Sequence, residues 1–202
     1  MSESIRTFIA MELSELAKAR IEQAIGSMKS QGLSGVRWVK PDGMHLTLKF
    51  LGGIAPPMAE KVTQAIQEAC QGAKPFNLAL SHTGAFPNLE RPRVLWVGLS
   101  GDLEPLRELH GQIESQILRL GFPAETRRFS PHVTLGRVRD GVSSRERRLI
   151  GETLGRITVE DVPPWRVETV NLMKSTLTPA GAIYTPLTKT LLSQVLSVDC
   201  DG

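Results

Sequence analysis

Apolar residues recur along this chain in two rhythms, one of period two and one near 3.6, and the two take turns. Residues 5–13 form an apolar, strand-like run. Ser14 is placed to cap a helix in which Leu16, Ala17, Ile21, Ala24, Ile25 and Met28 fall on one stripe, and Gly32 stops it. Residues 36–39 read as a short strand and Pro41-Asp42-Gly43 as a turn. Residues 45–51 alternate strictly, putting Leu46, Leu48 and Phe50 on a core face, and Gly52-Gly53 ends that strand. Residues 58–70 return to the helical period, 76–80 read as a strand, and a proline-containing loop runs to Pro92.

The order then repeats. Residues 94–99 predict a strand, and 103–120 a helix with Leu106, Leu109, Ile113, Ile117 and Leu120 on one stripe, stopped by Gly121. Residues 132–138 alternate, Ser143 or Ser144 caps a helix to 154, and Pro163-Pro164 breaks the chain before a strand at 165–173. A last strand is expected at 183–192 and a tail at 196–202. The glycines that stop the first helix of each half lie 89 residues apart, and the two alternating strands 87 apart. This predicts a single bilobal domain over 1–202, with repeat halves at about 5–92 and 93–190. The fold class is α+β: two pseudo-symmetric lobes, each an antiparallel sheet backed by two helices, with a central cleft.

Composition sets the outer bounds. The chain has 202 residues, 41% hydrophobic and 22% charged, with a mean hydropathy of -0.10, enough for a packed core. No apolar run reaches the ~18 residues of a membrane span. The opening MSESIRTFIAMELSELAKAR lacks the blocks of a secretory signal, so a cytoplasmic protein is expected. The two cysteines, Cys70 and Cys200, read as free thiols. Net charge is only +3, but residues 119–156 hold nine arginines against four acids, a local balance of +5. A basic half-surface suits a phosphate-bearing partner. Arg145, Arg147 and Arg148 read more simply as a solvated helix face.

Two of the four histidines open the same tetrad: His45-Leu46-Thr47-Leu48 and His132-Val133-Thr134-Leu135. Shuffled composition gives that coincidence well under about once in a thousand. On a strand, His45 and Thr47 share one face, as do His132 and Thr134, so lobes related by a pseudo-two-fold axis can line one groove with both pairs. One neutral and one protonated imidazole can then move two protons at a phosphodiester, while threonine hydroxyls donate to its non-bridging oxygens. Lys49 shares the His45 face in this reading. Trp38, Phe129, Arg127 and Arg128 lie beside the motifs, the aromatics read chiefly as packing. His82 and His110 read as structural or solvated. No metal-ligand spacing or phosphate loop is present, so no metal or cofactor is expected.

HLTLKFLG at 45–52 and SPHVTLGR at 130–137 resemble the paired HxTx motifs of the two-histidine phosphoesterases, in particular the bacterial and archaeal RNA 2′,3′-cyclic phosphodiesterases, historically called 2′-5′ RNA ligases or LigT-like. The opening strand, RWVKPDGMHLTLKFLG and the lobe order extend the resemblance along nearly the whole chain. It implies His45 as proton donor to the leaving 3′ oxygen and His132 as the base that activates water. It implies Thr47, Thr134 and Arg137 as phosphate contacts. Strict alternation turns Arg137 toward the core with Val133 and Leu135, unless Gly136 introduces a bulge or the long side chain curls back. The implied protein is a monomer acting on RNA ends or nucleotides that carry a 2′,3′-cyclic phosphate, without a membrane or an obligate protein partner. It leaves a 2′-phosphomonoester, and a 5′-hydroxyl RNA would instead yield a 2′-5′ linkage. Two alternatives stay open: a phosphodiesterase for another small cyclic or 2′-5′ nucleotide, and a non-catalytic RNA-binding module.

Overall fold

The computed structural model describes residues 4–159, 161–179 and 181–192. Cys200 and the expected tail lie outside the described residues. The first half folds as β1 (Ile5–Glu12), α1 (Glu15–Ser30), β2 (Val36–Trp38), a 3-10 turn at Pro41–Gly43, β3 (His45–Ile54), α2 (Pro56–Cys70) and β4 (Phe76–Phe86). The second folds as β5 (Val94–Gly101), α3 (Leu103–Arg119), β6 (His132–Val138), α4 (Ser144–Leu154), β7 (Trp165–Val167), β8 (Thr169–Thr178) and β9 (Gly181–Leu191). Local chemistry sets the helix starts. Ser14 Oγ accepts the Ala17 N–H at 3.2 Å, and Ser143 Oγ accepts that of Glu146 at 3.2 Å. Two prolines open α2, where a missing N–H costs nothing.

All strand pairs are antiparallel, and the nine strands form one sheet in the order β7-β4-β5-β6-β3-β1-β8-β9, with β2 paired to β6. The repeats exchange strands across this order. The first half's β4 lies between β5 and β7, and the second half's β8 lies beside β1 with β9 beyond it. The lobes in space are therefore not the halves in sequence. One face of the sheet carries the main core, in which the α3 stripe Leu106, Leu109, Ile113 and Ile117 is at most 2% exposed. Each such side chain contributes about 1.5–3 kcal/mol. The other face is largely open, with a small cluster of Phe8, Ala10 and Met173 under Tyr184. No helix among the described residues is long and apolar enough to cross a membrane.

Strand β3 departs from strict alternation. Thr47 pairs with Ala10 and Lys49 with Ile9, so Leu48 is an extra, bulged residue; Leu51 is a second, before Gly52. Gly52, at φ 75°, continues the strand instead of ending it. Two expectations are corrected by these bulges. Phe50 is turned out of the core onto the open face and is 66% exposed. Lys49 leaves the His45 face and is buried, donating to Glu114 Oε2 at 2.7 Å and to the Pro123 carbonyl at 2.8 Å. That ion pair ties β3 to α3 and to the loop leading into β6. A buried pair loses more when one partner goes than when both go. Glu114→Gln is therefore expected to lower stability by about 3 kcal/mol, and Lys49→Met with Glu114→Leu by clearly less, as read from urea unfolding midpoints.

Candidate active site

The two tetrads meet at one point of the sheet. β3 pairs with β6 only through Leu46 and Val133, the second residue of each tetrad. Both side chains are buried, at 2% and 0% exposure, pointing into the core. Antiparallel register then sets His45 across from Thr134 and Thr47 across from His132, all four on the open face. The two histidines are diagonal neighbours about this pair, a relation that spaces strand positions by about 7–8 Å. The structure thus brings His45, Thr47, His132 and Thr134 together, and all four are half-buried.

Aromatic rings wall each imidazole. The His45 ring lies 4.7 Å from that of Phe8 and edge-on to Tyr184 at 5.0 Å. The His132 ring is edge-on to Phe86 at 5.1 Å, with Trp96 at 6.3 Å. Trp96 covers Gly84, where a Cβ would strike the indole, and its ring lies 5.5 Å from that of His82. Sequence reading missed Phe8, Phe86, Trp96 and Tyr184. One signal was available, since the unbroken apolar run Phe8–Met11 marks a strand covered on both faces. Trp38 and Phe129 do pack. Trp38 lies against Gly136, and Phe129 stacks on His110 at 3.9 Å between ring centroids. Arg127 and Arg128 are exposed in the loop before β6.

Strand β6 repeats the irregularity of β3 at the same motif position. Trp96 pairs with Thr134 and Leu95 with Gly136, so Leu135 is bulged as Leu48 is. The bulge falls one residue before Gly136 and turns Arg137 onto the open face, where it is exposed. Phe50 and Arg137, each sixth in its motif, thus flank the groove from symmetric places. Among the described residues no cluster of three or more His, Cys, Asp or Glu is arranged to hold a metal ion.

The two rings sit on backbone in the same way. His132 Nδ1 is 2.7 Å from the carbonyl of Ser130, two residues back, so this nitrogen donates and Nε2 is left for the groove. His45 leans on the backbone of Gly43, also two residues back. Burial among Phe8 and Tyr184 dominates at His45. It pushes the ring's pKa from 6.5 down to about 4, with the Gly43 contact opposing. His45 is therefore neutral at pH 7 in the free protein.

A duplicated α+β chain that sets one His-x-Thr pair from each repeat on a shared open face has the architecture of a two-histidine phosphoesterase. The family model for LigT-like phosphoesterases matches the chain twice, over residues 12–96 and 97–184, and the chain belongs to that family. Among its relatives are proteins named RNA 2′,3′-cyclic phosphodiesterase. That of Methanothermobacter thermautotrophicus is 31% identical over 91% of this chain and 96% of its own length. That of Aquifex aeolicus is 32% identical over 88% and 90%. Of solved structures, a Thermus thermophilus protein superposes with a TM-score of 0.76 at 28% identity, over 93% of this chain and 98% of its own. E. coli LigT, crystallised with 3′-AMP, gives a TM-score of 0.73 at 27% identity, over 95% of this chain and all of its own.

The buried His45 ring makes stability depend on pH. It holds a proton below 6.5 in the unfolded chain but only below about 4 in the folded one. Between those values the unfolded state binds more protons, so its share of stability is full above pH 6.5 and is lost as pH falls toward 4. At 1.36 kcal/mol per pH unit this amounts to at most about 3 kcal/mol. Thermal unfolding of the wild type and of His45→Gln from pH 7.5 to 4 checks it. The wild type is expected to lose more stability on acidification, and parallel curves would refute the assignment.

Proposed function

We propose that this protein opens 2′,3′-cyclic phosphates at RNA ends or on nucleotides, adding water to give a 2′-phosphomonoester, and that its two histidines move both protons without a metal ion. The observation that carries the reading is the single Leu46–Val133 pairing, which sets two imidazoles and two threonine hydroxyls around one point on the open face. Membership of the LigT-like phosphoesterases supports it, as do the names of the relatives. A monomer is sufficient, because one chain supplies both tetrads. A cytoplasmic setting completes the proposal.

In this mechanism His132 Nε2 takes a proton from water as its oxygen forms a bond to phosphorus. The bond from phosphorus to the 3′ oxygen breaks in line with it, and His45 gives that oxygen a proton. Thr47 and Thr134 donate to the two non-bridging oxygens, and the guanidinium of Arg137 balances the charge that builds on them. His45 enters neutral, so its proton has to arrive with substrate. A phosphodiester anion beside the ring favours the imidazolium and reverses the effect of burial. A 5′-hydroxyl in place of water gives a 2′-5′ linkage by the same steps.

Hydrolysis of 2′,3′-cyclic nucleotides in EDTA tests this. The expected product is the 2′-phosphate, with the rate unaffected by chelator. His45→Ala and His132→Ala should each lose at least about a hundredfold in kcat. Retained turnover in either variant, or a requirement for added divalent ion, refutes the mechanism.

A further inference from the structure

The short strand β2 carries an arginine for which the proposed reaction has no use. Its register on β6 sets Arg37 directly across from Arg137, and Arg137 across from Val94 on the other side. Val94 lies two residues before Trp96 on β5, and Trp96 faces Thr134. Arg37, Arg137, Val94 and the catalytic threonine therefore share the open face. Both arginines are exposed, and neither makes an ion pair among the described residues. The Glu146 carboxylate lies against Gly35 at the start of this segment and pairs with neither. By contrast Arg20 and Arg166 hold acids, and Arg147 holds three backbone carbonyls.

Like charges set directly opposite on adjacent strands destabilise the pair. Here the arrangement is built in. A Cβ on Gly136 would come within 2.7 Å of Val36 and 3.1 Å of Trp38, so only glycine lets β2 lie this close to β6. The segment then runs on along the same strand, with the Val39 N–H on the Leu135 carbonyl at 2.8 Å and Leu46 opposite Val133. Arg37 thus lies in line with His45, beyond it by the span of Thr134 to Arg137. That is on the order of 10 Å of strand, within reach of the next phosphate of an RNA chain.

We infer that Arg37, beside Arg137, binds a backbone phosphate of single-stranded RNA one step upstream of the cyclic end, which makes an oligonucleotide the preferred substrate over a lone nucleotide. The inference rests on the phosphodiesterase reading above. With Arg137 on the cyclic phosphate, a second phosphate on Arg37 offsets the repulsion between the two guanidiniums and gains charge-assisted hydrogen bonds from Arg37. The backbone contact adds affinity without reading sequence.

The test compares a 2′,3′-cyclic mononucleotide with a short single-stranded RNA ending in the same cyclic nucleotide, for wild type, Arg37→Gln and Arg37→Lys, with matched melting curves. Arg37→Gln is expected to lower kcat/KM on RNA about tenfold through KM and to flatten its log–log salt slope by about one. Turnover of the mononucleotide should stay within about twofold, and Arg37→Lys should keep the salt slope because it keeps the charge. Equal losses on both substrates, or none on RNA, overturn the inference. If the wild type opens neither substrate, it is the phosphodiesterase reading that fails. Binding of a 3′-phosphorylated RNA against a 3′-phosphorylated mononucleotide then decides Arg37: weakening confined to RNA upholds it, and any other pattern overturns it.

Discussion

Leu46 and Val133 face each other where β3 meets β6, and no other residues pair these two strands. Because side chains alternate along a strand, burying this one pair forces the residues on either side of it outward. Those residues are the histidines and threonines of both tetrads. The contact is self-complementary, second residue of one motif on second residue of the other, as in an interface between two copies of a chain. Placement of the reactive groups thus comes from backbone pairing on a rigid sheet. The flanking rings then set how wet each imidazole is.

Symmetry of backbone does not produce symmetry of chemistry. Both motif strands bulge at the fourth motif residue, Leu48 and Leu135, and both send the sixth to the open face. One sixth residue is Phe50 and the other Arg137. The fifth positions differ as much. Lys49 reaches inward to Glu114, and Gly136 leaves room for β2 to close in. Duplicated geometry with divergent side chains is how one groove comes to have an apolar flank on one side and a cationic flank on the other.

Much of this was legible in the sequence, because the element order follows from hydrophobic period and capping residues. Ser14, Ser143 and the α3 stripe act as their residue types dictate. The tetrads announced themselves by repetition. What stayed hidden has a common cause, since a bulge leaves no mark on a period-two pattern except the residue it displaces. HLTLKF reads as perfect alternation, which puts Phe50 and Lys49 on the wrong faces. Arg137 could be placed only by knowing that Leu135 bulges. The exchange of β4, β8 and β9 between lobes was equally invisible, because periodicity within a segment says nothing about which neighbour it will choose. The aromatic walls of the histidines come from β1, β4, β5 and β9, four strands that meet the tetrads only in space.

The crossing of strands has an evolutionary consequence. Were the chain severed in the turn joining β4 to β5, the amino-terminal piece would carry β4 away from both β5 and β7, its only partners. The carboxyl-terminal piece would keep β8 without β1. Neither fragment inherits a whole lobe, so the two ancestral copies are interlocked like the links of a clasp. They are free to drift apart in sequence, as Phe50 and Arg137 have, but not to part company as genes.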